Sequence, residues 1–403
     1  MLETAPSLLL WQRNILRQNK KKENFNYTPW EDVFFSSSAE TVRLTGETFL
    51  KEGKVACLIL AGGQGSRVGK AVPKGTLGVS LVKEKSLFQI LFEKIFYAEL
   101  LYRKKFCVAV MTSTINHQET VSFLKKNSWF GLDEDQVFFF TQEDLPFVSI
   151  EPEGEEDWLL SNAGDLLKGP SGNGDALRLF YQSKLFALFK DKGIEHLTVI
   201  PIDNPLAEPF DPLFLGFHVE KKVDVSLKSV ERKSQQEKVG LLVSDQGSLR
   251  VVEYGEHNVN LSFPFANIGF YCFKMEFISF LQGVKEKQPW HVVRKKMGSV
   301  SFWKFERFLF DVFLFTNKIG VFIEPRETCF SPLKNEIGED SFFSVKKDLL
   351  ALDRKVYKEL TGKDAPVDVF ELSLAFYYSK AAQQSLMEKK DWKEGEYVDY
   401  SGF

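Results

Sequence analysis

The sequence predicts an α/β fold, a doubly wound and largely parallel sheet with small N- and C-terminal appendages. Three observations predict it. Short apolar runs alternate with amphipathic helical stretches from residue 54 to about 204. Glycine-rich or polar loops follow the runs, as they do at the carboxyl ends of parallel strands. After about residue 238 the pattern changes to period-2 alternation around a turn, which marks antiparallel strands.

Taken in order, residues 8–19 and 39–51 have helical, amphipathic spacing. "KVACLILA" (54–61) reads as a buried strand. Ser86 and Gln89, three apart, start a helix with a capping box, and Leu87, Ile90, Leu91, Ile95 and Leu101 continue its spacing. "FCVAVMT" (106–112) is a second strand, followed by a helix from about His117 to Lys126. "QVFFFTQ" (136–142) is a third. "NGDALRLFYQSKLFALFKDKG" predicts one helix over 173–191, ended by Gly193 in a left-handed conformation. "HLTVIPIDN" is a fourth strand with Asp203 and Asn204 at its carboxyl end. "KVGLLVSDQGSLRVVEYGE" is a hairpin about Asp-Gln-Gly, "FANIGFYCF" a further strand, and "KFERFLFDVFLFTNK" a helix of period 3.6 with Lys304 at its start. From about Asp340 the chain reads as charged and mostly helical.

At 403 residues the chain is expected to hold an N-terminal helical segment (1–50), one large domain (51–340) and a small C-terminal helical region (341–403). The net charge of -3 gives no basic face of the kind nucleic-acid binding uses. No stretch approaches the ~18 apolar residues of a membrane-spanning helix. The N-terminal apolar run is short and precedes its lysines, the reverse of a signal peptide, so a cytoplasmic protein is expected. Cys57, Cys107, Cys272 and Cys329 form no CxxC pair, and the five His are dispersed. Reduced thiols and no zinc site follow. A monomer or weak homo-oligomer is expected, with no nucleic-acid or membrane partner.

The loop "LILAGGQGSRVGKAVPKG" (58–75) has the composition of a phosphate binder but fits neither familiar spacing. Counting from Gly63, the dinucleotide fingerprint needs Gly at position 68, where Val68 stands. A P-loop needs Gly at Gln64 and Ser or Thr at Ala71. A nicotinamide-dependent dehydrogenase is thereby refused. The carboxyl-end rule collects this loop, Thr112-Ser113, Gln142 and Asp203-Asn204 at one edge of the sheet. A second glycine loop, "GPSGNGDALR" (169–178), opens the next helix with exposed N–H groups suited to an anion or polar ring. Alone, each residue has a plain structural reading: Gly62, Gly63 and Gly65 as a tight turn, Asn173 as a helix cap, Arg67, Lys74, Lys304 and Lys334 as solvated cations. Their coincidence at one edge is what argues for a site.

These residues resemble the eukaryotic-type UDP-N-acetylglucosamine pyrophosphorylases of the UDP-sugar pyrophosphorylase (UDPGP type 1) family. "LILAGGQGSRVG" with "PKG", "MTSTINHQETVSFLKKNSWFGL", "FFTQEDLP", "PSGNGDALR", "VIPIDNPLAEPFDPLFLGF", "VGLLV" with "VVEY", "FERFLFDVF" and "FSPLKN" match family blocks in order over about residues 40–340. The resemblance implies a Rossmann-like doubly wound mixed sheet of the nucleotide-diphospho-sugar transferase type. It implies a uridylyltransferase that condenses UTP with a hexose 1-phosphate, foremost N-acetylglucosamine 1-phosphate, to UDP-sugar and pyrophosphate, with Mg2+.

By the same resemblance, Leu60, Ala61, Gly62 and Gly63 would approach the uridine portion of UTP, and Gln142 and Gly172 would recognise uracil. Arg67 and Lys74 would bind the triphosphate, Lys74 at the α-phosphate. Asp203 would hold Mg2+ or the nucleotide phosphates. Asn173, Gly240, Glu253 and Asn267 would meet the sugar, and Lys304 and Lys334 would neutralise phosphate charge on the sugar phosphate and the product side. The chain departs from the family pattern at Phe263–Ala266, at "IGFYCF" after Asn267, and at Asp175, where Gly is usual. Glucose 1-phosphate or a broad sugar range is therefore the alternative substrate reading. A non-catalytic nucleotide-sugar-binding protein is the alternative class, argued against by the joint presence of Arg67, Lys74, Asp203 and Lys334.

Overall fold

Every residue of Val55–Leu60 is buried, and alternate side chains enter two separate hydrophobic clusters. Val55, Cys57 and Ile59 face one, Ala56, Leu58 and Leu60 the other. A strand covered on both faces needs an unbroken apolar run, and that is what the sequence supplies. The computed structural model describes residues 5–19, 27–36, 40–150, 157–253 and 263–400.

Among those residues one sheet of eleven strands dominates. Its main path runs Phe34–Phe35, Ile319–Ile323, Val225–Glu231, Phe265–Lys274, His196–Pro201, Val55–Leu60, Val108–Thr112, Val137–Thr141. All neighbours are parallel except on the two sides of Phe265–Lys274. The sheet is therefore mixed and doubly wound. From Val55–Leu60 the chain first builds outward to Val137–Thr141, then returns to lay His196–Pro201 on the opposite side. That reversal opens a crevice between the loops leaving these two adjacent strands.

The expected hairpin is present as Gly240–Asp245 and Ser248–Val252, turning through Gln246 and Gly247 at positive φ. The part of it written Tyr254–Glu256 lies outside the described residues. His117–Lys126 forms the predicted helix, and Ser86 caps Leu87–Tyr102 by accepting from the Gln89 N–H at 3.1 Å. The segment before residue 50 is not only helical. Thr28–Pro29 and Phe34–Phe35 add short strands to the main sheet.

Two expected helices are corrected. The stretch 173–191 is two short helices, Ala176–Gln182 and Leu185–Asp191, broken at Lys184 with φ 70°. Asp175, not Asn173, stands at the N-cap position. "KFERFLFDVFLFTNK" is not a helix. Val300–Glu306 is a strand in a separate three-stranded sheet, and a 3-10 turn over Leu309–Phe315 follows. Its apolar spacing suits either period locally, and pairing with His291–Met297 decided it. The C-terminal residues form Phe342–Thr361, shorter helices and a parallel pair, Phe370–Leu372 with Glu396–Val398, around their own cluster of Tyr357, Phe370 and Phe376. The four cysteines form no disulfide, and all but Cys107 are buried. No described helix is long and apolar enough to cross a membrane.

Candidate active site

The glycine loop leaves Val55–Leu60 with the Ala61 N–H donating to Met111 O at 2.7 Å. It closes on itself through Gly65 N–H to Val72 O (2.9 Å) and Lys74 N–H to Gly63 O (3.3 Å). The Asn116 side chain, fully buried, donates to Ala61 O at 2.9 Å and Gly63 O at 3.3 Å while accepting from the Ser113 N–H at 2.8 Å. At Gly62 a Cβ would lie 2.3 Å from Gln142 Nε2, so only glycine lets that amide reach the loop. Gln142 itself is buried and donates to Gly62 O at 3.4 Å. No atom beyond its chain neighbours lies within 4 Å of where a Gly63 Cβ would stand, so the loop is open on that face.

Across the crevice stands Asp203. Its Oδ2 accepts from Lys74 Nζ at 2.9 Å, and its carbonyl accepts from the Leu333 N–H at 2.8 Å. Burial pushes the Asp203 carboxyl up, but Lys74, Lys334 and Arg67 outweigh burial and hold it below its ordinary value. The carboxylate is thus ionised, with three cations around it. A unit pair at 4 Å in an effective dielectric of 20 gains about 4 kcal/mol of Coulomb energy, largely offset by desolvation. The Lys74–Asp203 pair is therefore poised, because an arriving polyanion can compete for the lysine. The backbone N–H of Lys334 donates to Asp340 O at 2.6 Å, and its Nζ lies 3.8 Å from Asp340 Oδ2. Burial raises the Asp340 carboxyl, against the opposing pull of Lys334.

These groups surround one cleft of about 250 Å³. Leu60, Gly62, Gly63, Arg67, Lys74, Gln142, Asn173, Asp203 and Lys334 all line it. Ala61 is buried beneath, its backbone tied to Asn116. Gly172, at φ 90°, lies so close to Arg307 that a Cβ would be 2.3 Å from its carbonyl oxygen. Asn173 is held by the Leu309 N–H, which donates to its Oδ1 at 3.1 Å.

The remaining residues form a second group. Gly240 is opposite Asn267 in the antiparallel register, and a Cβ on Gly240 would be 3.2 Å from Glu253 Oε1. The Asn267 amide is engaged by the Tyr271 hydroxyl at 2.9 and 3.1 Å and by the Gly269 N–H at 3.1 Å. Lys304 is not among the residues lining the cleft. It sits on Val300–Glu306, opposite Val293, with its Nζ 2.6 Å from Glu306 Oε1. Its expected place at a helix start is wrong, because that stretch pairs as a strand.

Residues 11–268 match the protein family described as UDPGP, UTP--glucose-1-phosphate uridylyltransferase. The chain belongs to this family. It is 33% identical over 402 residues to the probable UDP-N-acetylglucosamine pyrophosphorylase of Schizosaccharomyces pombe, covering 89% of this chain and 84% of that protein. It is 30% identical over 342 residues to the UDP-N-acetylglucosamine pyrophosphorylase of Saccharomyces cerevisiae, covering 77% and 71%. The crystal structure of the UDP-N-acetylglucosamine pyrophosphorylase from Trypanosoma brucei, in complex with inhibitor, superposes with a TM-score of 0.81 at 25% identity. It covers 97% of this chain and 89% of that one. The mixed, doubly wound sheet read from the sequence is thus the sheet of UDP-sugar pyrophosphorylases, and the chain is a nucleotidyltransferase.

For this UDPGP member, sequence reasoning missed the residues that shape the loops. Asn116 was passed over inside an ordinary helix start, although an Asn just past a strand end and three after Ser113 is a turn-forming signal. Lys94 lies within a helix, buried, and donates to Pro205 O at 2.9 Å and Ala207 O at 2.8 Å. Burial lowers its pKa to about 8. Its place in the sequence carried no signal, because the partners are over a hundred residues away.

His196, His218 and Cys272 are buried with one donor atom each within 4.8 Å of the others. Zinc bonds of about 2.0–2.3 Å would draw such donors to roughly 3.5 Å apart. The two rings instead pack edge to face at 5.0 Å between centroids. Burial drives the His196 pKa down to about 4 and His218 well below its usual value, and pushes the Cys272 thiol up. His196 opens the strand whose far end leads to Asp203, so this trio is neutral core at the amino end of the sheet.

Proposed function

We propose that this chain transfers the uridylyl group of UTP to N-acetylglucosamine 1-phosphate, releasing pyrophosphate. The carrying observation is the cleft in which Arg67, Lys74 and Lys334 converge on ionised Asp203, with the Gln142 amide at the glycine-loop side. The names and extent of the relatives support the sugar. In the reaction a phosphate oxygen of the sugar phosphate forms a bond to the α-phosphorus of UTP, and the bond from that phosphorus to the α,β-bridging oxygen breaks, the electron pair leaving with pyrophosphate. No proton moves, so no general base is needed, and positioning with charge stabilisation supplies the catalysis. A site made of Gly, Lys, Arg and Asp suits that requirement.

The roles proposed are these. The Leu60–Gly63 backbone and the Gln142 amide hold the uridine, with Gly172 beside them. Lys74 leaves Asp203 to meet the α-phosphate, Arg67 takes the outer phosphates, and Lys334 meets the sugar phosphate. Asn173, Gly240, Glu253 and Asn267 contact the sugar, and Lys304 joins them only by exchanging its Glu306 partner. Asp203 fits Mg2+, which binds through one or two carboxylates plus substrate phosphates, and Asp203 is an ionised carboxylate lining the cleft. Bound Mg2+ would neutralise phosphate charge.

The test is pyrophosphate release with UTP and Mg2+ against N-acetylglucosamine, N-acetylgalactosamine, glucose and galactose 1-phosphates. Turnover strongest with N-acetylglucosamine 1-phosphate is expected. Preference for glucose 1-phosphate would overturn the sugar and keep the reaction. Tight binding of UTP without turnover on any sugar would overturn the reaction.

A further inference from the structure

Asp203 and Lys334 stand on loops far apart in sequence, and the buried amide of Asn204 helps to join those loops. Asn204 is fully buried. Its Nδ2 donates to Cys329 O at 2.7 Å, and its Oδ1 accepts from the Ser331 N–H at 3.0 Å. The same Oδ1 accepts from the Leu206 N–H at 3.3 Å within its own loop. One residue before Asn204, Asp203 O accepts from the Leu333 N–H, and one residue after Leu333 comes Lys334. The amide thus grips the 329–331 backbone on both a donor and an acceptor while the next residue pair closes the ladder. On its other side, the 205–207 backbone is bound by the buried Lys94 ammonium on the helix Leu87–Tyr102. The chain of contacts runs from that helix through the Asp203 loop to the Lys334 loop.

We propose that Asn204 is a positioning residue that acts through Lys334, setting its distance from Asp203 and hence from the reacting phosphates. This deepens the proposed function and rests on it. An amide is the only common side chain of this size that offers both a donor and an acceptor without charge. Aspartate keeps the size but sets a carboxylate oxygen against Cys329 O, where only a protonated carboxyl can donate. A purely structural amide would also be buried and bonded. What separates the two is whether its loss is felt when Lys334 is absent.

The experiment is a double-mutant cycle on full-length protein, with Asn204→Ala, Lys334→Ala and both, read as pyrophosphate release beside UTP binding and thermal melting. Asn204→Ala is expected to lower kcat/KM for the sugar phosphate about 100-fold, as roughly 1 Å misplacements do, with UTP affinity within about threefold of wild type. In the Lys334→Ala background the same change is expected to cost no more than about threefold. Multiplying effects in folded proteins would overturn the proposal. Asn204→Asp serves if the alanine variant fails to fold: its activity relative to wild type is expected to rise toward acid pH, and a flat ratio would overturn the proposal. Wild type without turnover on any sugar 1-phosphate would instead remove the uridylyltransferase reading beneath it.

Discussion

The two groups of residues proposed to hold the nucleotide and the sugar, the nucleotide side and the sugar side, are built differently. The nucleotide side lies where parallel strands end, and each of its groups sits in a loop directly after its own strand. Gly62, Arg67 and Lys74 follow Val55–Leu60, Gln142 follows Val137–Thr141, and Asp203 follows His196–Pro201. The sugar side depends on antiparallel register: Gly240 is across from Asn267 because strands from distant parts of the chain pair in one alignment. Charge dominates the first; in the second, amide, hydroxyl and backbone hydrogen bonds stand beside one carboxylate, Glu253. Loss of a cation should therefore damage the chemical step, and loss of a sugar-side amide should damage recognition.

The sharpest break of that contrast is Lys74→Ala. Removing a cation proposed to meet the α-phosphate is expected to lower kcat by about 10² to 10³, with sugar-phosphate KM little changed. Full turnover in steady-state assays would sink the assigned role. Next comes Gly62→Ala, whose Cβ would collide with the Gln142 amide. A loss of about 10- to 100-fold in kcat/KM for UTP is expected, with melting near wild type, since the strain falls on a cleft side chain.

On the sugar side, Tyr271→Phe frees the Asn267 amide from its hydroxyl partner. One neutral hydrogen bond is worth about 0.5–1.5 kcal/mol, so sugar-phosphate KM should change about 3- to 10-fold while UTP KM holds. A shift in UTP KM instead would show that the two sides are not separable.

The smallest effect on turnover is expected at Asp353, which belongs to neither side. It is a buried residue of the helix Phe342–Thr361, accepting from the Tyr377 hydroxyl at 2.6 Å and the Leu372 N–H at 3.2 Å. Burial raises its pKa from 3.8 to about 7, more than these donors lower it. Its stabilising contribution is thus fully present below pH 3.8 and is lost as pH rises through 7. Between pH 6 and 8 it should remove about 1 kcal/mol of stability. Asp353→Asn should flatten that part of the melting-versus-pH curve and leave kcat unchanged at pH 7.5. An unaltered slope would refute the assignment.

Much of the nucleotide side was legible because local pattern and site coincide there. A buried strand, then glycines, then a cation are neighbours in sequence, and the carboxyl-end rule brings several such loops together. Gln142 and Asp203 were found by that rule and line the same cleft as Lys74. Lys304 was misplaced because "KFERFLF" carries apolar residues compatible with either period, and only the partner strand His291–Met297 selects one. The break at Lys184 was equally hidden, since both halves of 173–191 have helical composition.

The parts played by Asn116, Lys94 and Asn204 were illegible for a different reason, although the carboxyl-end rule places Asn204 at the sheet edge. Each acts on backbone carbonyls or amides, and a backbone group leaves no trace in the identity of the residue that carries it. The sequence by itself determined the alternation of strands and helices, the gathering of polar loops at the carboxyl edge of the sheet, and the supply of cations and one carboxylate to it. Hydrophobic period and loop composition are local properties, so they can be read in one dimension. Tertiary structure alone decided which amide holds which loop, which face Lys304 occupies, and how Gly240 meets Asn267. Those depend on pairing between segments far apart in the chain, where burial makes every polar group find a partner and the winner is set by geometry.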